Sequence, residues 1–149
     1  MLTLTSNLLV RMHLHLLGGY PREACGIMIG QETYDGAQQS GKVVHDLVLV
    51  SNAWEVESER EGLRNRYLIS PEDVVRADRE ASQRGLDIIG FFHSHPDHPA
   101  RPSETDREFA WPNVSFVIVS VEAGQVVDTR SWVLRDDRSA FDEEPITGS

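Results

Sequence analysis

The chain has a single cysteine, Cys25, among 149 residues. That excludes an intramolecular disulfide and any metal site built from several thiolates. Basic residues are scarce: 14 Lys and Arg stand against 24 Asp and Glu, a net charge of −10. An acidic surface repels phosphate, so neither nucleic acid nor an anionic membrane surface is expected as a partner. No apolar run approaches the roughly 18 residues of a transmembrane helix. The stretch MLTLTSNLLVRMHLHLLGG has no basic residue ahead of its apolar part, and Arg11, His13 and His15 interrupt it. No signal peptide is expected, and the expected location is the cytoplasm. Internal repeats, low-complexity tracts and linkers are also missing, which predicts one domain over residues 1–149. Apolar residues make up 40% of the chain and charged residues 26%. At this length, folding buries about 68% of the unfolded surface, enough for an independent core.

The local patterns predict alternating helices and strands. Leu8, Met12 and Leu16 recur at spacing four, so residues 5–17 read as a helix ended by Gly18 and Gly19. The run 24–30 (ACGIMIG) reads as a buried strand, the polar stretch 31–41 as a loop or hairpin turn, and 43–50 as a strand rich in β-branched residues. The charged segment 54–66 reads as a solvated loop, and 66–70 as a short strand. A helix is expected over 71–84. Ser70 is its cap, Pro71 occupies its first position, Glu72 and Asp73 suit its positive end, and Gly85 closes it. Residues 86–95 (LDIIGFFHSH) stay apolar almost to their end, the pattern of a strand covered on both faces. A short helix over 104–110 and strands over 115–121 and 126–134 follow, with a turn at 122–125. The acidic tail, 141–149, is expected to be flexible. The sum is an α/β (α+β) arrangement, a mixed β-sheet flanked by helices.

The chemistry concentrates in one segment, His93-Ser-His95-Pro-Asp-His-Pro-Ala-Arg-Pro-Ser103-Glu-Thr-Asp106. Residues two apart on a strand share a face, so His93 and His95 aim two imidazoles at one point while Ser94 points away. Asp106 falls in the first turn of the next helix and can bring a carboxylate oxygen. Two nitrogens and one oxygen suit zinc and leave a tetrahedral position for water, as a catalytic ion needs. Ser103 and Asp106 also read as a helix-capping pair. Zinc-assisted hydrolysis needs a carboxylate that takes and returns a proton. Spacing does not identify it; Glu23, directly before the apolar run 24–30, is the local candidate.

These residues resemble the JAMM/MPN metalloprotease family. The match rests on Glu23 with the following A-C-G-I-M-I-G, then H-S-H-P, then Ser103 after seven residues intervening from His95, then Asp106 three residues on. It runs from Glu23 to about Trp132 and is most similar to the bacterial stand-alone members, including a peptidase that trims cysteine from a sulfur-carrier protein. The resemblance implies a cytidine-deaminase-like fold. It implies zinc held by His93, His95 and Asp106, Glu23 as general base and acid, and Ser103 as a donor to the developing oxyanion. The implied reaction is hydrolysis of a peptide or isopeptide bond at the C-terminal tail of a ubiquitin-like or sulfur-carrier protein. Two alternatives stand beside it: a non-catalytic protein-binding module of the same fold, and a zinc hydrolase of small amides. The deaminase signature H-x-E with P-C-x-x-C is absent, so deamination is not expected.

Other conspicuous residues read as structural. His13, His15 and His45 are expected at the surface or partly packed. His98 is expected to be exposed, within reach of a substrate. Cys25 is expected to be a small buried residue, and Trp54, Trp111 and Trp132 core or cleft-wall packing.

Overall fold

A computed structural model describes residues 1–51 and 69–148. One eight-stranded mixed sheet carries the fold. In chain order the elements are β1 (Leu2–Thr3), α1 (Ser6–Gly19), β2 (Cys25–Asp35), β3 (Gln38–Val50), α2 (Pro71–Gln83), β4 (Asp87–Pro96), α3 (Glu104–Phe109), β5 (Ser115–Glu122), β6 (Gln125–Leu134), β7 (Phe141–Glu144) and β8 (Ile146–Thr147). The strands lie in the order β7-β6-β5-β4-β2-β3-β1-β8. β4 is central, antiparallel to β2 and parallel to β5.

Strand alternation sorts the core into two layers. On one face Leu8, Met12 and Leu16 of α1 pack on Met28, Phe92, Val117 and Val119. On the other, Ala77 and Ala81 of α2 pack on Ile27, Ile29, Phe91 and Phe116. β4 is therefore covered on both sides, as its unbroken apolar run requires. Gly26 stands opposite Phe92 in the register, and a Cβ there would collide with the Phe92 ring, so only glycine lets β2 and β4 close up beside the histidines.

The helix ends follow the expected chemistry. Ser70 caps α2 by accepting the Asp73 N–H at 3.2 Å, and Gly85 is left-handed at φ +68°. α1 is capped by Thr5 and runs through Gly18 to Gly19, two residues further than the glycines suggest. Three larger differences come from pairing between distant residues. The stretch 31–41 is a hairpin rather than a loop, and its turn is short: β2 continues to Asp35 and β3 begins at Gln38, with Gly36 at φ +65° in the turn. The N-terminal β1 lies parallel to β3 and to β8. The tail, expected to be flexible, instead contributes β7 and β8. Arg130 and Arg135 pair with Glu143 and Asp142, and Leu2 N–H and Leu4 N–H donate to Pro145 O and Thr147 O. The expected loop at 54–66, most of the expected strand at 66–70, and Trp54 lie outside the described residues. Among those described, no helix is long and apolar enough to cross a membrane.

Candidate functional site

β4 ends in His93, Ser94 and His95. Alternation places both imidazoles on the α2 face and Ser94 on the α1 face. His93, His95 and Asp106 are all buried. His93 Nε2 lies 3.1 Å from His95 Nε2 and 3.1 Å from Asp106 Oδ1, and His95 Nε2 lies 3.0 Å from Asp106 Oδ2. Asp106 is aimed by a reciprocal capping box. Its N–H donates to Ser103 Oγ at 3.1 Å, and its Oδ2 accepts the Ser103 N–H at 2.8 Å. Capping and convergence on the histidines are thus one arrangement, because the same carboxylate oxygen serves both.

The turn between β4 and α3 is pinned at each step. Ser120 Oγ donates to His98 O at 2.5 Å, and Trp132 Nε1 donates to Ala100 O at 3.0 Å. His95 Nδ1 lies 2.8 Å from Pro99 O. A carbonyl oxygen only accepts, so Nδ1 carries the hydrogen, and Nε2 of the neutral ring presents a lone pair to its neighbours.

The electrostatics describe a nest for positive charge. Burial holds His93 below the ordinary imidazole range despite the pull of Asp106. Burial also pulls His95 down, but the Asp106 carboxylate, Pro99 O and the Glu23 charge outweigh it and leave His95 raised. Burial pushes Asp106 up, and the two imidazoles overcome that and hold it well below the usual carboxylate range. Two imidazole nitrogens and a carboxylate crowd together with no permanently charged cation among them. A tetrahedral ion with ligand bonds of about 2.0–2.1 Å spaces its donors by roughly 3.3 Å, close to the separations seen here. The donor set therefore fits a divalent metal ion, and these three residues are the group able to hold one among the described residues.

Glu23 lies in the connection just before β2. The β2–β4 ladder begins at Cys25 and His93, and the residues ahead of it bring Glu23 to the cleft that His95 also lines. Glu23 is buried, and that burial pushes its carboxyl up to about 8, with the Asp106 charge adding and the His95 charge opposing. Glu23, His95, His98, Pro99, Arg101 and Ser103 line one open cleft of about 290 Å³. Ser103 is exposed there; its Oγ accepts the Asp106 N–H and its own hydrogen faces no acceptor among the described residues. Sequence reasoning had not placed Arg101 at this cleft, and no local pattern marks it.

The remaining candidates lie elsewhere. Cys25 is buried on β2, and burial first, then Glu23 and Asp73, push its thiol up to about 12, which suits packing rather than nucleophilic attack. His13 lies 2.9 Å from Thr129 Oγ1, His15 lies 2.8 Å from Cys25 O, and His45 is exposed. Trp111 is half exposed and packs edge-on to Phe91 in a separate apolar hollow beside α3.

Comparison with known proteins gives the chain its relatives. A family model described as prokaryotic homologs of the JAB domain matches residues 5–135. A desampylase of Haloferax volcanii is 33% identical over 104 residues, covering 69% of this chain and 66% of its own length. The matched stretch thus spans just under two thirds of that relative. A probable TtuB-protein conjugate cleaving protease of Thermus thermophilus is 27% identical over 116 residues, covering 78% of this chain and 68% of that one. A solution structure from Desulfitobacterium hafniense superposes with a TM-score of 0.81 at 28% identity, over 100% of this chain and 93% of that one. A JAB1/MPN domain protein from Archaeoglobus fulgidus shares the fold at a TM-score of 0.55 and 15% identity, over 99% and 96% of the two chains. The chain belongs to the JAMM/MPN family, among the prokaryotic homologs of the JAB domain.

Proposed function

We propose that this chain is a zinc-dependent peptidase or isopeptidase acting at the C-terminal tail of a ubiquitin-like or sulfur-carrier protein. The observation that carries the reading is the convergence of His93 Nε2, His95 Nε2 and Asp106 at 3.0–3.1 Å. Two imidazoles with one carboxylate favour zinc over magnesium or calcium, which prefer oxygen alone. Three protein ligands are the number found in catalytic rather than structural zinc sites. The substrate class is supported by the names of the relatives, two desampylases and a conjugate-cleaving protease. Action in the cytoplasm by one domain spanning residues 1–149 belongs to the same reading.

When bound, zinc supplies Lewis acidity, which makes water a stronger acid and the scissile carbonyl a better electrophile. His93, His95 and Asp106 hold the ion. Glu23 takes a proton from the attacking water and returns it to the leaving nitrogen. Its carboxyl, pushed up to about 8 by burial, is suited to both directions near neutral pH. Ser103, rigid because it caps α3, turns its free O–H toward the carbonyl oxygen as negative charge grows there. The hydrogen bonds to His98 O and Ala100 O tie the cleft wall to β5 and β6.

The test compares zinc-loaded and metal-free protein on a carrier-protein conjugate, a linear carrier fusion and small amides, each followed by intact mass. The expected result is zinc-dependent cleavage at the carrier tail, with Glu23→Gln keeping zinc and losing turnover. Cleavage that survives metal removal, or activity confined to small amides, contradicts the reading.

A further inference from the structure

Glu23 does not sit on a strand. It lies in the connection from α1 to β2, and the regular ladder between β2 and β4 starts only at Cys25 and His93. The connection is fastened at both of its ends, to β4 and to the residue that follows it. At the inner end, buried Ser94 donates its N–H to Ala24 O at 2.9 Å, and Ala24 N–H donates to Ser94 Oγ at 2.9 Å. A regular antiparallel pair would return that second bond to the Ser94 carbonyl; here the side chain takes it. At the outer end, the Tyr20 hydroxyl donates to the Asp97 carboxylate at 3.0–3.1 Å. Asp97 holds a left-handed backbone at φ +59°, a conformation aspartate tolerates better than most residues. It is kept there by its own N–H to Val121 O at 2.7 Å and by the Ala123 N–H to its Oδ1 at 3.1 Å.

We infer that Ser94, Tyr20 and Asp97 form a two-ended clamp that positions Glu23 against the histidine end of β4. All three are positioning residues and act through Glu23. Ser94 stands between the two histidines but faces away from them, so its hydroxyl holds Ala24 on the α1 face while the imidazoles converge on the other. The clamp ties the proton carrier of the proposed reaction to the strand that bears His93 and His95. Backbone strain at Asp97 is the sort of local cost that the surrounding structure must hold in place. The kinetic part of the argument rests on the proposed hydrolytic function; the mechanical part does not.

The test uses Ser94→Ala, Ser94→Thr and Tyr20→Phe in the full chain. Misplacing a catalytic group by about 1 Å costs on the order of 100-fold, so Ser94→Ala is expected to lower kcat at least about 10-fold with KM and zinc affinity within about 2-fold. Ser94→Thr, which keeps the hydroxyl, restores kcat, and Tyr20→Phe, at the exposed end, lowers it about 3-fold. In a Glu23→Gln background neither substitution lowers the residual rate further. Zinc affinity by chelator competition separates the clamp from damage to the ligands. Unchanged kcat in both Ser94→Ala and Tyr20→Phe, or a loss that persists undiminished in the Glu23→Gln background, overturns the inference. Failure of wild-type protein to cleave any conjugate ends the proposed function instead, and amide exchange then decides the clamp alone. A slow Ala24 N–H in wild type that becomes fast in Ser94→Ala supports it, and equal exchange in the two overturns it.

Discussion

Asp46 and Asp106 each place one carboxylate between two nitrogen bases, and the comparison isolates what makes a binding site. Asp46, on β3, receives Arg11 from α1 and Arg84 from the end of α2 at 2.9 Å each, joining helices from opposite faces of the sheet. Asp106 meets His93 and His95 at 3.1 and 3.0 Å. The distances are nearly the same and the chemistry is opposite. A guanidinium keeps its charge everywhere, so the Asp46 cluster carries its own cations and sits satisfied at the surface. An imidazole is charged only when protonated; burial holds His93 below its ordinary range while the Asp106 carboxylate raises His95, so the Asp106 cluster has no permanent cation of its own beside its negative carboxylate. The first is a staple, and the second calls for a cation from outside.

The largest effects are expected where that difference is removed. His93→Ala or Asp106→Asn should weaken zinc binding at least about 100-fold and abolish conjugate cleavage, measured by metal content after dialysis and by intact mass. Asp46→Asn should leave both unchanged. If Asp46→Asn strips zinc as well, the two clusters are not the independent devices described.

Glu23→Gln should retain zinc and lower kcat by roughly 10²–10⁴-fold. The same substitution sharpens the electrostatic side. Glu23 is raised from an ordinary carboxyl value to about 8, so folding favours its protonated form. Its contribution to stability is complete below the unfolded-state value of about 4.3 and is lost as pH climbs through the folded value. The melting temperature of metal-free wild type relative to that of Glu23→Gln should therefore fall between about pH 5 and 8, His93 being common to both. A difference that rises across this range contradicts the assigned burial effect.

Ser103→Ala should show two losses at once: about 100-fold in kcat from the missing donor, and about 1 kcal/mol of stability from the missing cap. Ser103→Thr should recover both. A variant with lowered stability but unchanged kcat reduces Ser103 to a cap.

The smallest effect belongs to Asp46. Burial pushes its carboxyl up, and Arg11, the Leu47 N–H and Arg84 more than reverse that, leaving it below the ordinary value. Its contribution is complete above the unfolded-state value of about 3.9 and fades as pH falls through the folded one, so Asp46→Asn should narrow the acid dependence of the melting temperature below about pH 4. Being a partly exposed ion pair, it should cost at most about 1 kcal/mol.

What could be read before any coordinates follows from how local each signal is. His93 and His95 were legible because a period of two on an apolar strand leaves no choice of face. Asp106 was legible because the capping spacing from Ser103 fixes where a first-turn carboxylate points. Glu23 is named from its neighbours, but its place beside His95 depends on the antiparallel pairing of β2 and β4, two strands joined by more than fifty residues of chain. The same limit explains the tail. Residues 141–147 are polar on their exposed sides, and their order comes from pairing with β6 and β1, which no short window contains. The stretch 31–41 looked like a loop because both faces of that hairpin are largely exposed, so its strands carry no apolar alternation.

The most direct test of the central claim is anomalous diffraction at the zinc absorption edge from crystals of the zinc-loaded protein. One peak within about 2.2 Å of His93 Nε2, His95 Nε2 and an Asp106 carboxylate oxygen is the predicted result. A zinc peak at other residues, or none at these three, contradicts it.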